Sequence, residues 1–158
     1  ALFALALAGC GDKIGDACTV SSDCSPTGER LCDTVNAPDG YCTIVGCDNG
    51  TCPDEAVCIR FFSNIVNDGA TCDPRTEDRA GGTNDCGPDD VCTLSAICVP
   101  ATAESRFCML KCDANSDCRD GYECRDESLM VVHGGEPVPE PGEALGDDLQ
   151  SFCAVTEP

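Results

Sequence analysis

Thiols are the reactive groups this chain carries in quantity. Its 158 residues hold seventeen cysteines against one histidine, five phenylalanines, two tyrosines and no tryptophan. Sulfur at that density either binds metal as thiolate or pairs as disulfide. Structural zinc wants closely spaced thiolates, and no C-x-x-C pair occurs anywhere, while His133 is the only histidine. Pairing is therefore expected for Cys18, Cys24, Cys32, Cys42, Cys47, Cys52, Cys58, Cys72, Cys86, Cys92, Cys98, Cys108, Cys112, Cys118, Cys124 and Cys153. That set is even in number and leaves out Cys10. Spacing alone does not decide which cysteine joins which.

Other chemistry is thinly supplied. A single histidine removes most nucleophile–base pairs, because Ser and Cys nucleophiles usually lean on an imidazole. His133 reads as a surface side chain. Carboxylates are everywhere, so no particular pair stands out as an acid–base couple. Neither G-x-x-x-x-G-K-[ST] nor G-x-G-x-x-G occurs, which leaves no phosphate or dinucleotide cradle. No catalytic residue and no cofactor is expected. Calcium has one candidate: Asp113, Asn115 and Asp117 reproduce the D-x-N-x-D opening of a calcium loop. Cys118 then stands where the turn glycine belongs, and Cys124 where the bidentate Glu belongs. At most this is a weak, extracellular-type site, and Asp before Cys is also a common way to start a turn.

The backbone that positions these sulfurs must be unusual. Twenty-nine acidic residues face nine basic ones, for a formal charge of −20. So acidic a chain, so poor in large apolar side chains, would ordinarily stay disordered, since burial could not offset the entropy lost on ordering. Cross-links are the expected reason that it folds, each contributing about 2–4 kcal/mol. Thiol-reducing compartments would undo them, so the chain belongs in an oxidising space. Scattered Lys and Arg argue against nucleic acid and anionic membrane surfaces.

Between the cysteines, Asp, Gly, Asn, Ser and Pro predominate, and each favours turns for its own backbone reason. The expected fold is small, disulfide-rich and mostly irregular, with short β-hairpins, as after Pro38-Asp39-Gly40 and Asp120-Gly121. Internal echoes predict two tandem cysteine-rich units, 18–70 and 71–158. The echoes are Y-C-T-I-V-G-C-D-N-G-T-C-P-D-E-A-V-C against F-C-M-L-K-C-D-A-N-S-D-C-R-D-G-Y-E-C, and G-D-A-C against G-A-T-C. Division by spacing puts eight cysteines in each unit, Cys18 to Cys72 and Cys86 to Cys153, whereas division by flanking residues puts seven in the first and nine in the second, which requires at least one bridge between the units if every thiol pairs. Ile59 to Val66 is the most apolar stretch, expected as a core strand or else as an exposed contact patch. A Pro/Glu-rich stretch, about 134–150, reads as an extended, mobile loop.

Residues 1–9 form a short apolar run ending in small residues, too short to span a bilayer and suited to a secretory signal whose start is truncated. The run closes as Leu7-Ala8-Gly9-Cys10, which resembles a bacterial lipobox. That resemblance implies cleavage before Cys10 and a diacylglycerol and acyl anchor on it, with 10–17 as lipidated cysteine and tether. Gly11 after the anchor implies outer-membrane delivery, on the periplasmic or the surface face. With the repeated C-x3-S-D-C of Cys18–Cys24 and Cys112–Cys118, the chain resembles the cysteine-rich repeat lipoproteins of myxobacteria and related deltaproteobacteria. It is also similar to Dickkopf-type and whey acidic protein modules, although the Cys-Cys doublet of the latter is absent. The expected function is a non-enzymatic, secreted, lipid-anchored envelope protein. It would be a rigid binding module for a protein or polysaccharide, with a purely structural component or a small protease inhibitor as alternatives.

Overall fold

A computed structural model describes residues 13–63, 70–77, 81–82 and 85–157. Leu7, Ala8, Gly9 and Cys10 lie outside the described residues, as do Ile65 and Val66. All sixteen remaining cysteines are paired, in eight disulfides that follow one rule. The bridges are Cys18–Cys32 with Cys24–Cys42, and Cys47–Cys58 with Cys52–Cys108. Then come Cys72–Cys92 with Cys86–Cys98, and Cys112–Cys124 with Cys118–Cys153. Each is a quartet in which the first cysteine joins the third and the second joins the fourth.

The rule has a backbone cause. In the first quartet a single helical turn, α1 (Ser21–Cys24), precedes strands β1 (Leu31–Cys32) and β2 (Cys42–Thr43). The second quartet uses β3 (Ala56–Phe62) with a distant partner, and the third uses β4 (Asp90–Cys92) and β5 (Cys98–Pro100). That distant partner is β6 (Glu104–Leu110), and the fourth quartet follows with β7 (Tyr122–Arg125). The chain then forms helix α2 (Glu127–His133), a short strand β8 (Glu136–Pro137) and finally β9 (Phe152–Val155). In every quartet the third and fourth cysteines face one another on an antiparallel pair: Cys32 and Cys42, Cys58 and Cys108, Cys92 and Cys98, Cys124 and Cys153. Directly opposed residues project from the same side of a ladder. The first two cysteines approach that side from the preceding loop, so the two bridges lie side by side. Three sulfurs of each quartet fall within 4.8 Å of one another.

A common turn feeds each ladder. The carbonyl of the residue after the second cysteine accepts from the amide three residues on: Gly28 to Ser25 at 3.2 Å, Ala56 to Pro53 at 2.8 Å, Asp90 to Gly87 at 3.0 Å and Tyr122 to Arg119 at 3.0 Å. These are β-turns, and the Pro, Asp and Gly found there suit them. Gly40, at φ +69°, is required for a different reason: a Cβ on it would sit 2.0 Å from the Cys18 carbonyl oxygen. The chain there runs flush against the Cys18–Cys32 bridge.

The third quartet lies wholly within the interval between Cys58 and Cys108. The Cys52–Cys108 bridge and all seven register pairs of β3 with β6 cross the expected division at 70/71, so those halves are not separately closed. The folded body also begins earlier than expected, inside the stretch 10–17 read as lipidated cysteine and tether. Ile14 is fully buried, the Gly15 amide donates to the Cys42 carbonyl at 2.9 Å and the Cys42 amide donates to the Asp16 carbonyl at 2.9 Å. Residues 14–17 thus belong to the folded body.

Parts of the stretch expected to be a mobile loop are packed, while residues 140–143 and 146–148 are exposed. Pro137 and Glu136 pair with Ile59 and Arg60, adding β8 to form a sheet of order β6–β3–β8. Val138 and Leu145 are buried. Ahead of β8, α2 starts at Asp126, whose carboxylate accepts from the Leu129 amide at 3.1 Å. It ends at Gly134-Gly135, where a Cβ on Gly135 would lie 2.6 Å from the Phe61 ring. Burial of Glu136 is made tolerable by partners: Arg60 Nε and Nη2 reach its Oε1 at 2.8 and 2.6 Å, and the Leu94 amide donates to its Oε2 at 2.5 Å. Burial still pushes this carboxyl above its ordinary pKa, with the Arg60 charge and the Leu94 amide opposing.

Two apolar clusters hold the quartets together. One gathers Ile14, Tyr41, Ala56, Tyr122 and Val138 around Cys47, Cys58 and Cys108. The other joins Ile59, Leu94, Met130, Leu145, Phe152 and Ala154. Among the described residues, no helix is long and apolar enough to cross a membrane.

Candidate functional site

Aromatic residues are scarce in this chain, and they are not scattered. Both tyrosines and three of the five phenylalanines line one cleft of about 440 Å³. Tyr41 and Thr43 come from the first quartet, Phe61, Phe62, Phe107 and Met109 from the second, and Tyr122, Ala154 and Val155 from the fourth. The ladder explains the grouping. Ser105, Phe107 and Met109 alternate along β6, and Phe61 stands opposite Ser105. The position before the fourth cysteine is also recurrently aromatic: Tyr41, Phe107 and Phe152, with Ile97 in the third quartet.

The walls are fixed from behind. Tyr41 and Tyr122 stack with ring centroids 5.5 Å apart, and the Arg119 guanidinium caps the stack 4.2 Å from the Tyr122 ring. The buried Tyr41 hydroxyl donates to the Cys153 carbonyl at 3.3 Å and accepts from the Leu110 amide at 2.9 Å. Burial raises the pKa of both phenols, so they stay neutral at any physiological pH. Phe61 meets Phe107 and Phe152 edge to face, each at 6.1 Å. The Thr43 hydroxyl donates to the Cys108 carbonyl at 2.9 Å.

Arg125 is the one cation in the lining, and it is spent within the fold. Its Nε meets Glu123 at 3.1 Å, Nη1 donates to the His133 and Gly134 carbonyls at 3.0 and 2.9 Å, and Nη2 donates to the Val155 carbonyl at 3.0 Å. His133, expected on the surface, is half-buried, with Nδ1 2.8 Å from Glu123 Oε1. It does not line the cleft, whose polar groups are hydroxyls, Asn36 and the carboxylates of Asp33 and Glu157. The rigid π faces of the cleft suit contact with an apolar or cationic group.

A larger recess of about 630 Å³ lies at the other end of β3, walled by Pro53, Pro137, Pro139, Leu145 and Leu149 with Asp54, Glu140, Glu143 and Asp148. It contains no aromatic ring.

The calcium candidates are put to other use. Asp117 Oδ2 accepts from the Asp113 and Ala114 amides, both at 2.9 Å, and Asn115 Oδ1 accepts from the Cys124 amide at 2.7 Å. Asp23, at the equivalent place before Cys24, does the same for Thr19 and Val20 at 2.9 and 3.1 Å. Those amide contacts hold both carboxyls below the ordinary Asp value. Asp113 lies exposed beside them.

Of the stretch from Ile59 to Val66, expected as a core strand or else an exposed contact patch, the described part through Phe62 lies in the central strand β3, with Ile59 fully buried and Phe61 and Phe62 partly buried at its end. Sequence reading missed Tyr41, Thr43, Met109 and Tyr122 as partners, because they converge only once the bridges are drawn.

No family model, curated protein or solved structure matches this chain.

Proposed function

We propose that this chain is a non-enzymatic binding protein, anchored by lipid at Cys10 to the outer membrane of a bacterial envelope, with the aromatic cleft as its ligand site. The carrying observation is the concentration of both tyrosines and three of five phenylalanines in one cleft. Aromatic rings bury large areas at low entropic cost, and they are the residues most often found at binding hot spots. A cleft of this volume falls in the range of ordinary ligand sites. Bridges and buried hydrogen bonds fix its walls beforehand, so little freedom remains to be lost on association.

Eight disulfides support an oxidising location, where such bridges persist. The Leu7-Ala8-Gly9-Cys10 sequence supports the anchor, and multiple acyl chains would hold it stably. Membrane attachment is tested by Cys10→Ala, which should move the protein to the soluble fraction; unchanged membrane retention would refute the anchor. Binding is tested by placing a photo-reactive residue at Phe107 in living cells. A discrete cross-linked species is expected there and not from Val132, which is exposed but outside the cleft. Identical labelling from the two sites would remove the cleft from consideration.

A further inference from the structure

The cations of this protein narrow down what the cleft accepts. All six described arginines are bound internally. Arg30 pairs with Glu55 at 3.5 Å, Arg75 with Glu127 at 2.6 Å and Arg106 with Asp48 at 2.9 Å. Arg60 and Arg125 are held by Glu136 and Glu123, and Arg119 donates to the Pro38 carbonyl at 3.3 Å. Lys111 donates to the Asp54 carbonyl at 3.0 Å. Among the described residues, only the Lys13 ammonium has no partner. A nucleic acid, an anionic polysaccharide or an acidic peptide would find no cluster of free cations to meet it.

The excess runs the other way, with 29 acidic residues against nine basic ones. Asp33 and Glu157 are the carboxylates of the cleft: Asp33 accepts from the Val35 and Asn36 amides at 3.0 Å, and Glu157 lies 3.7 Å from Arg125 Nη2 through one oxygen, with the other left for a further cation. Inside the molecule the aromatic faces already attract cations: Arg119 lies over Tyr122, and the Arg60 guanidinium sits 5.5 Å from the Phe62 ring centre. Rings backed by carboxylates bind ammonium and guanidinium groups through the ring quadrupole and the local field together.

We infer that the cleft takes a basic segment of another polypeptide, with a Lys or Arg side chain laid against its aromatic wall and a neighbouring apolar side chain beside Phe107 and Met109. This rests on the binding role proposed above and adds the chemistry of the partner. The walls supply the apolar contact, the rim supplies the charge selection, and the surrounding acid raises the encounter rate with basic chains.

Calorimetry on the oxidised full chain with three probes tests it: acetyl-Lys-Phe-Lys-Phe-Lys-amide and the versions with Ser or Glu in place of Lys. One-to-one binding of the Lys probe is expected, about tenfold tighter than the Ser probe, weakening as salt is raised, with the Glu probe silent. Phe107→Ala and Phe62→Ala should each weaken the Lys probe by about tenfold. Asp33→Asn with Glu157→Gln should erase most of the preference for Lys over Ser and leave the walls standing, and Val132→Ala should change nothing. Disulfide mapping confirms that each variant is correctly paired. Equal binding of the Ser and Lys probes would overturn the cationic partner and leave the cleft as a binding site. Undiminished Lys binding in both phenylalanine variants would show bulk attraction to acid, which also overturns it. A dimer in sedimentation that Phe107→Ala dissolves would make a second copy the occupant and reject the inference. No binding by any probe, together with identical photo-labelling from Phe107 and Val132, would end both readings.

Discussion

The second and third quartets make the sharpest comparison in the molecule, because one sits inside the other. They share the same connectivity, the same opposed cysteines and the same turn. Around Cys47, Cys58 and Cys108 the second quartet gathers Ile14, Tyr41, Tyr122 and Val138. Among the described residues, the cluster around Cys86, Cys92 and Cys98 of the third takes in Ala70 and Cys72. The host thus has both sulfur and a wide side-chain cluster, whereas the guest adds to its sulfurs the fully buried Val99 and the buried Leu94, which it lends to the neighbouring cluster. The guest hairpin is closed by sulfur with a few small aliphatic side chains, and aromatic packing is added where several quartets meet.

Full reduction should have the largest effect, abolishing hydrogen-exchange protection in both quartets. A β3–β6 ladder that survived reduction would show that side-chain packing alone holds the host. Next is the double variant Cys52→Ser/Cys108→Ser, which opens a bridge of sequence separation 56 and should cost about 4 kcal/mol in urea unfolding. Cys86→Ser/Cys98→Ser, of separation 12, should cost about 3 kcal/mol. Its loss of exchange protection should stay within the guest, and spread into β3 would contradict the contrast. Ile59→Val, in the side-chain cluster, should cost about 1 kcal/mol, read from the shift of the urea midpoint.

The smallest effect concerns pH. Asp23 and Asp117 have folded pKa values below their ordinary one, so their contribution is complete above the ordinary Asp value of 3.8 and is lost as pH falls through the lowered values. Asp23→Asn with Asp117→Asn should flatten the acid limb of the melting-temperature profile in the first and fourth quartets. The guest, where Glu77 accepts the Asp85 and Cys86 amides instead, should be unaffected.

Much of this was legible in the sequence. Cysteine density and the lack of C-x-x-C pairs pointed to disulfides among the sixteen cysteines from Cys18 to Cys153, and composition pointed to a small, hairpin-bearing, disulfide-rich fold. Connectivity was hidden because spacing does not encode it, and the guest conceals the host by moving Cys58 and Cys108 apart. With 5, 9, 28 or 49 residues between the third and fourth cysteines, a fourfold repeat resembles a loose twofold one. The packing of Glu136 was illegible for another reason. Composition near Pro137 and Pro139 speaks for extension, but the Arg60 that makes burial tolerable lies 76 positions away. The aromatic cleft left only a trace, the ring recurring before the fourth cysteine.

The depth at which Ile14 is seated sets a mooring distance. Four peptide steps separate it from Cys10, and an extended chain covers at most about 3.6 Å per step, so an acylated Cys10 would lie within about 14 Å of the packed interior. On so short a leash the body would ride against the lipid headgroups instead of swinging clear of them. A partner would then have to come to the membrane to be met, and a flexible spacer added after Asp12 would measure how much that closeness matters.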